Sequence, residues 1–381
     1  MKYAVTNCDI HTGEEILYDK AIVIKDEYIH EIIDLDKIPI DLEVIDLKGA
    51  NIAPGFIDLQ VNGGGGCLFN DNPTVESISR IFQGHKRYGT TNFLPTIITT
   101  TNEKIHQAID SVKECLTHKT NGVLGLHIEG PFINQKKAGV HDKKYIRSFS
   151  ENDLDFIRKN SQGSIKMITL SPEFVNENQI KSLKECGIII SAGHSSATYD
   201  QSIESFKWGI TNVTHLFNAM SLFESREPGL VGATFDKESI WAGIIVDGHH
   251  VNFASVRVAK KIKKNKLFLV TDAMPPVGSD ISKYKLGDLE VLCKDKKCIT
   301  MDGVLAGSAL DMATAVRNCV QKVEIPLDEA LRMASTYPAE NLGLNKILGK
   351  IKPGFLANMV IFNNQIVVES VIIHGVYEKI N

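Results

Sequence analysis

Charge of one sign, long apolar runs and paired cysteines are all scarce in this chain of 381 residues. Its 42 basic and 46 acidic residues leave a formal net charge of −4, and the lysines form only short pairs such as Lys260-Lys261 and Lys263-Lys264. The electrostatic footprint of a nucleic-acid binder is therefore missing. No apolar run approaches the roughly 20 residues that cross a bilayer. The opening MKYAVTNCDIHTGEEIL has neither an apolar signal core nor a small-residue cleavage site. A cytoplasmic protein with no membrane and no nucleic-acid partner is the expectation. The seven cysteines, at 8, 67, 115, 186, 293, 298 and 319, are odd in number and include no Cys-x-x-Cys pair. They are read as reduced thiols, Cys293 and Cys298 included, although the spacing of those two suits a hairpin either way. No GxxxxGK[ST] motif occurs, and the glycine run Gly63–Gly66 does not open a helix, so nucleotide binding has little to stand on.

What the chain does have is ample core material, 43% hydrophobic residues, and a change of rhythm near residue 53. Before it lie short apolar runs broken by Gly13, Asp26 and Asp34, which read as strands. After it, apolar runs alternate with amphipathic stretches, the signature of βαβ units. Eight runs are predicted as strands: 53–61, 91–98, 123–129, 165–170, 188–193, 212–217, 241–246 and 267–271. Helices are predicted between them, for example at 75–88, 103–118, 198–208 and 253–264. Runs such as GIIIS and LFLVT are apolar almost throughout, as strands covered on both faces are. Eight units in series predict a closed (β/α)8 TIM-like barrel over 53–345. A hairpin-like insertion follows at 285–305, then helices at 308–322 and 327–335. Strand-like segments at both termini, 1–52 and 346–381, predict a small β-sandwich domain assembled from the two ends.

Polar or titratable groups close nearly every predicted barrel strand: Gln60 and Asn62, Thr96, His127 and Glu129, Ser171 and Glu173, His194, His215 with Asn218, Asp247 with His249 and His250, and Asp272. In such a barrel these ends converge on the face that carries chemistry. Any single histidine at a strand end is more often a hydrogen-bonded loop residue than a ligand. Glu129, His194 and His215, from three different strands, together make a donor set suited to a catalytic divalent metal with an open position. Asp272 is either a capping aspartate or a general base beside a metal-activated water. His141, in the loop KKAGVHD, is either a solvated loop residue or a hydrogen-bond donor to a developing oxyanion. Arg226 and His250 form a candidate phosphate clamp, since guanidinium pairs well with phosphate oxygens.

The series APGFIDLQVNG, HIEGPF, GHS, THLFNAM, REPGLVG, DGHH, TDAM and LAGS, spread from about residue 51 to the C-terminus, resembles the N-acetylglucosamine-6-phosphate deacetylases of the amidohydrolase superfamily. The terminal GKIKPGFLANMVIF resembles that superfamily's returning β segment. The resemblance implies deacetylation of a phosphorylated N-acetyl amino sugar, in amino-sugar catabolism and cell-wall sugar recycling. It implies one divalent ion per subunit on Glu129, His194 and His215, zinc first, with iron, manganese or cobalt as alternatives. Asp272 becomes the general base and acid, and His141 the group that polarises the acetyl carbonyl. Val140, Asn218, Ala219, Arg226 and His250 contact the substrate, with Leu305, Ala306 and Gly307 lining its acetyl side. A homodimer or higher homo-oligomer, with the site near the subunit interface, is implied too. Many amidohydrolases carry His-x-His on strand one and hold two metals. Here Gln60 and Asn62 stand there, so any second-metal position is vestigial.

Two other readings compete. A cyclic amidase or nucleobase deaminase fits the fold but usually shows the strand-one His-x-His. A non-catalytic scaffold fits the fold as well, but would not be expected to keep Glu129, His194, His215 and Asp272 together.

Overall fold

The computed structural model describes residues 2–118 and 121–380. Eight strands form one parallel sheet in sequence order: β1 (Phe56–Val61), β2 (Thr90–Ile98), β3 (Leu126–Glu129), β4 (Ile165–Leu170), β5 (Ile189–Ala192), β6 (Asn212–Val213), β7 (Trp241–Ile244) and β8 (Leu267–Leu269). Every residue of β1 and β2 is buried, which is why these segments read as continuous apolar runs. The sheet curls back on itself. Val61 bridges Ala273 in parallel, the Asp272 N–H donates to the Gln60 carbonyl at 3.0 Å, and the Asn62 N–H donates to the Ala273 carbonyl at 3.0 Å. The expected (β/α)8 barrel is present, with strands generally shorter than predicted. Residues 53 and 54 end the preceding strand, Glu43–Pro54, and β1 starts only after Gly55.

Local sequence sets the helix starts. Ser150, Asn176 and Thr198 each cap a helix by accepting an N–H three residues on, and Asp153, Gln179 and Gln201 return the bond in capping boxes. The helix Tyr199–Trp208 thus begins one residue later than predicted, because Thr198 is its cap. The predicted helix at 308–322 is shorter: Leu305–Ser308 is a strand, the α-helix spans Met312–Asn318, and a π turn covers Cys319–Val323.

The predicted insertion after β8 is a four-stranded antiparallel meander, Lys283–Leu286, Leu289–Lys294, Lys297–Thr300 and Leu305–Ser308. Its central turn places Asp295 and Lys296 at positive φ, 51° and 61°, as a two-residue hairpin turn requires. This pairing sets Cys293 directly opposite Cys298, with Cα atoms 4.2 Å apart, and the two are joined as a disulfide. The expectation of reduced thiols is corrected there: hairpin register, which cysteine spacing alone does not reveal, brings the sulfurs together. Cys8, Cys67, Cys115, Cys186 and Cys319 are free.

Strands from both termini are hydrogen-bonded as a single eight-stranded sheet, in which Lys2–His11 pairs in parallel with Glu43–Pro54, and Glu43–Pro54 antiparallel with Met359–Phe362. Tyr3, Val5, Ile10, Ile22, Ile24, Ile52, Met359 and Ile361 form its core. By contact density the chain divides into Met1–Asp58, His85–Asn92 and Asp311–Asn381 on one side, and Leu59–Gly84 with Phe93–Leu310 on the other. The helices Met312–Asn318, Leu327–Ala334 and Thr336–Asn341 group with the terminal strands, whereas the sequence boundary at 345/346 had placed them with the barrel.

Phe93 is fully buried in β2 and its ring stacks on Phe82 at 5.9 Å. Phe93→Ala should cost about 3–5 kcal/mol of unfolding free energy, read as a lower denaturant midpoint at unchanged slope; a loss below about 1 kcal/mol would mean that this layer repacks freely.

Candidate active site

The residues that follow the barrel strands converge as the strand-end pattern required. Glu129 closes β3, His194 follows β5, His215 follows β6, and Asp272 follows β8. Three of these have left-handed backbones, with φ of 47° at His194, 34° at His215 and 51° at Asp272. Non-glycine residues there cost roughly 1–3 kcal/mol each, so the fold over-determines these side-chain directions. Gly193 permits the turn into His194: a Cβ there would lie 2.8 Å from Thr169 Cγ2 and 3.0 Å from Thr214 Cβ.

Oε1 of Glu129 lies 3.2 Å from His194 Nε2 and 3.0 Å from His215 Nε2, and the two imidazole nitrogens are 3.1 Å apart. Nδ1 of His194 faces the Lys137 carbonyl at 2.8 Å. That acceptor requires Nδ1 to carry the hydrogen, so in the neutral ring Nε2 presents a bare lone pair to a carboxylate oxygen. Two acceptors face one another in a buried site, an arrangement that a proton or a metal ion between them makes favourable. A divalent ion suits it, and donor atoms sharing a tetrahedral ion at about 2.1 Å lie about 3.4 Å apart, close to the separations here. His141 adds a neighbouring nitrogen: ligand atoms of Glu129, His141 and His194 lie within 4.8 Å of one another.

The second carboxylate is tied to the first by amides. Gln60 Nε2 donates to Glu129 Oε1 at 3.1 Å and to Asp272 Oδ1 at 3.2 Å, and Asn62 Nδ2 donates to Asp272 Oδ1 at 2.5 Å. Burial alone would raise the Glu129 carboxyl, but imidazoles that carry a proton toward it more than offset this in the metal-free site and hold it well below the carboxylate range. Burial and the Glu129 charge push Asp272 the other way, upward. Two adjacent carboxylates with opposed shifts are the arrangement from which acid–base roles arise. His141 is pushed down to about 3 by burial and by neighbouring His194, so its ring is neutral, with Nδ1 2.7 Å from the Thr99 hydroxyl.

A cavity of about 500 Å³ opens over this group, and of the residues expected to meet substrate Val140, Asn218, Ala219, His250, Leu305 and Gly307 line it. Two predicted residues do not. Ala306 turns away into an apolar cluster with Leu68, Met274 and Tyr284, because successive residues of the strand Leu305–Ser308 face opposite sides. Arg226 is exposed, on a loop that also exposes Leu222 and Phe223. His250 is paired through Nδ1 with Asp247 Oδ2 at 2.7 Å. Burial would raise Asp247, but His250 and the backbone N–H groups of His249 and His250 hold it low.

Sequence reasoning assigned no role to Thr99, Asp247, the Lys137 carbonyl, or the hairpin residues Gly303 and Val304 that reach the cavity. Asp247 was open to discovery in Asp-Gly-His-His, where it sits three positions before His250. The Lys137 carbonyl carries no side-chain signal at all.

A (β/α)8 barrel with a carboxylate–imidazole cluster at the C-terminal ends of its strands has the form of a metal-dependent hydrolase. The amidohydrolase family profile matches residues 51–377, and that of the NagA composite domain matches residues 2–52. The chain belongs to the amidohydrolase family. It is 39% identical over 382 residues to an N-acetylglucosamine-6-phosphate deacetylase of Haemophilus influenzae, with both chains covered completely. It is 40% identical over 315 residues to an N-acetylgalactosamine-6-phosphate deacetylase of Shewanella, covering 82% of this chain and 79% of the relative. The crystal structure of N-acetylglucosamine-6-phosphate deacetylase from Pasteurella multocida superposes with a TM-score of 0.97 at 40% identity, over all of both chains.

Zinc or cobalt added to metal-depleted protein should stabilise it, by about 2.7 kcal/mol at a hundredfold excess over Kd, and Glu129→Gln should remove most of the gain. An unfolding midpoint in the wild type that does not respond to either ion would show that the cluster is not a metal site.

Proposed function

We propose that this protein hydrolyses N-acetyl-D-glucosamine 6-phosphate to D-glucosamine 6-phosphate and acetate. The observation that carries the reading is the triangle of Glu129, His194 and His215, in which His194 turns a lone pair toward the Glu129 carboxylate, with Asp272 bound beside it through Gln60. Glu129, His194 and His215 hold one divalent ion, with zinc as the first choice. When bound, that ion lowers the pKa of a water and polarises the amide carbonyl. Asp272 accepts a proton from the attacking water and passes it to the sugar nitrogen as the C–N bond breaks, releasing acetate. His141, neutral and held at Nδ1 by Thr99, donates from Nε2 to the oxygen that gains charge. Asn218, Ala219 and His250 hold the phosphorylated sugar, and Leu305 and Gly307 bound its acetyl end.

Arg226 completes the phosphate site of a partner subunit in a homodimer. Its exposure outside the cavity, beside Leu222 and Phe223 at 62% and 63% exposure, supports this assignment. The division into a small β domain (1–52 with 346–381) and a catalytic barrel (53–345) belongs to the same reading, and the composite-domain match over 2–52 supports its N-terminal boundary alone. Among the described residues no helix is long and apolar enough to cross a membrane.

The galactosamine epimer is the second reading, favoured by the 40% identity to the Shewanella enzyme. Acetate release should be measured from both 6-phosphates and from unphosphorylated N-acetylglucosamine, with zinc supplied. Fast turnover of the glucosamine 6-phosphate alone is expected. Preference for the epimer would transfer the assignment to it, and no turnover of either with metal bound would reject the substrate class. Asp272→Asn should lower kcat at least a hundredfold with metal retained. Mixed dimers of Asp272→Asn and Arg226→Ala should regain activity that neither parent has; verified mixed dimers without recovery would place Arg226 outside the partner's site.

A further inference from the structure

Glu173, just beyond β4, stands outside the lining of the active-site cavity, yet its carboxylate joins three chain segments. Oε1 accepts from Asn134 Nδ2 at 2.9 Å, in the loop after β3, and from the Ser196 backbone N–H at 2.7 Å, after β5. Oε2 accepts from the Ser195 hydroxyl at 2.6 Å, and Ser195 Oγ in turn accepts from the Ala197 N–H at 2.9 Å. Asn134 is held at both ends, because its own N–H donates to the His194 carbonyl at 2.9 Å. That carbonyl also accepts from the Ser171 hydroxyl at 2.6 Å. Every bond in this set ends on His194 or within three residues of it, or on a segment that grips it, and His194 is the residue whose backbone is left-handed at φ 47°.

We propose that Glu173 is a positioning residue: it clamps Asn134, Ser195 and Ser196 so that His194 is held with Nε2 aimed at Glu129 and His215. A carboxylate suits the task because it offers acceptors only, and all three partners are donors. Groups bonded directly to a metal-binding imidazole commonly change metal affinity 10- to 100-fold when removed; Glu173 acts one contact further out, so an effect at the lower end, about 10-fold, is expected. The inference rests on the metal reading of the Glu129, His194 and His215 triangle.

The test is titration of metal-depleted protein with Co2+, followed by its visible absorption, alongside thermal unfolding of the metal-free protein. Glu173→Ala should bind Co2+ about 10-fold more weakly than wild type and with an altered absorption envelope. Glu173→Gln, whose Oε1 can keep both N–H bonds, should recover most of the affinity. A purely structural role would lower the metal-free unfolding temperature and leave the affinity and spectrum of the folded fraction unchanged, and that result overturns the proposal. Should Glu173→Ala fail to fold, Asn134→Ala, which opens the same clamp from its other side, decides on the same readout. A wild-type protein that binds no Co2+ overturns the metal reading and this inference with it; tight wild-type binding with unchanged binding in Glu173→Ala overturns the inference alone.

Discussion

The site depends on the seam where β1 meets the chain leaving β8. Backbone bonds between Gln60 and Asp272, and between Asn62 and Ala273, close the barrel. The same residues then carry the amides and the carboxylate that meet above the seam. Gln60 and Asp272 are 212 positions apart in the chain. Only a closed sheet brings them together at fixed distance, and the ordering entropy this requires is offset by the buried strands beneath rather than by the polar contacts themselves.

Above that seam the site concentrates features that a stable core avoids. Acceptor atoms face one another, two carboxylates approach within reach of one glutamine, and His194, His215, Ala219 and Asp272 have left-handed backbones. Each is tolerable because rigid strands carry it and hydrogen bonds at one remove constrain it: Lys137 for His194, Thr99 for His141, Asp247 for His250. The opposed shifts of Glu129 and Asp272 follow from the same asymmetry. Glu129 has two imidazoles in direct contact, while burial and the Glu129 charge raise Asp272 against a weaker pull from His215 and His250.

Binding and chemistry are distributed unequally over the fold. The strand ends supply the reacting centre, whereas the meander after β8 and the loops after β3 and β6 supply the cavity walls. Loops on a rigid scaffold are where specificity is adjusted without disturbing the core.

The barrel and its order of strands were legible in the linear chain, because buried parallel strands leave continuous apolar runs and the residue at each C-terminal end is then placed by topology. Glu129, His194, His215 and Asp272 were found in that way; Val140, Ala219, Leu305 and Gly307 were reached only through the family resemblance. Other features had no such signature. The orientation of Ala306 away from the cavity depends on which face of a short strand meets the site. The Cys293–Cys298 bond depends on hairpin register, and the grip on His194 runs through a backbone carbonyl. Periodicity along the chain determined which elements form and which side chains stand at their ends. Register, side-chain direction and contacts between loops far apart in sequence were decided by tertiary packing alone, since these depend on distances in space that no local spacing encodes.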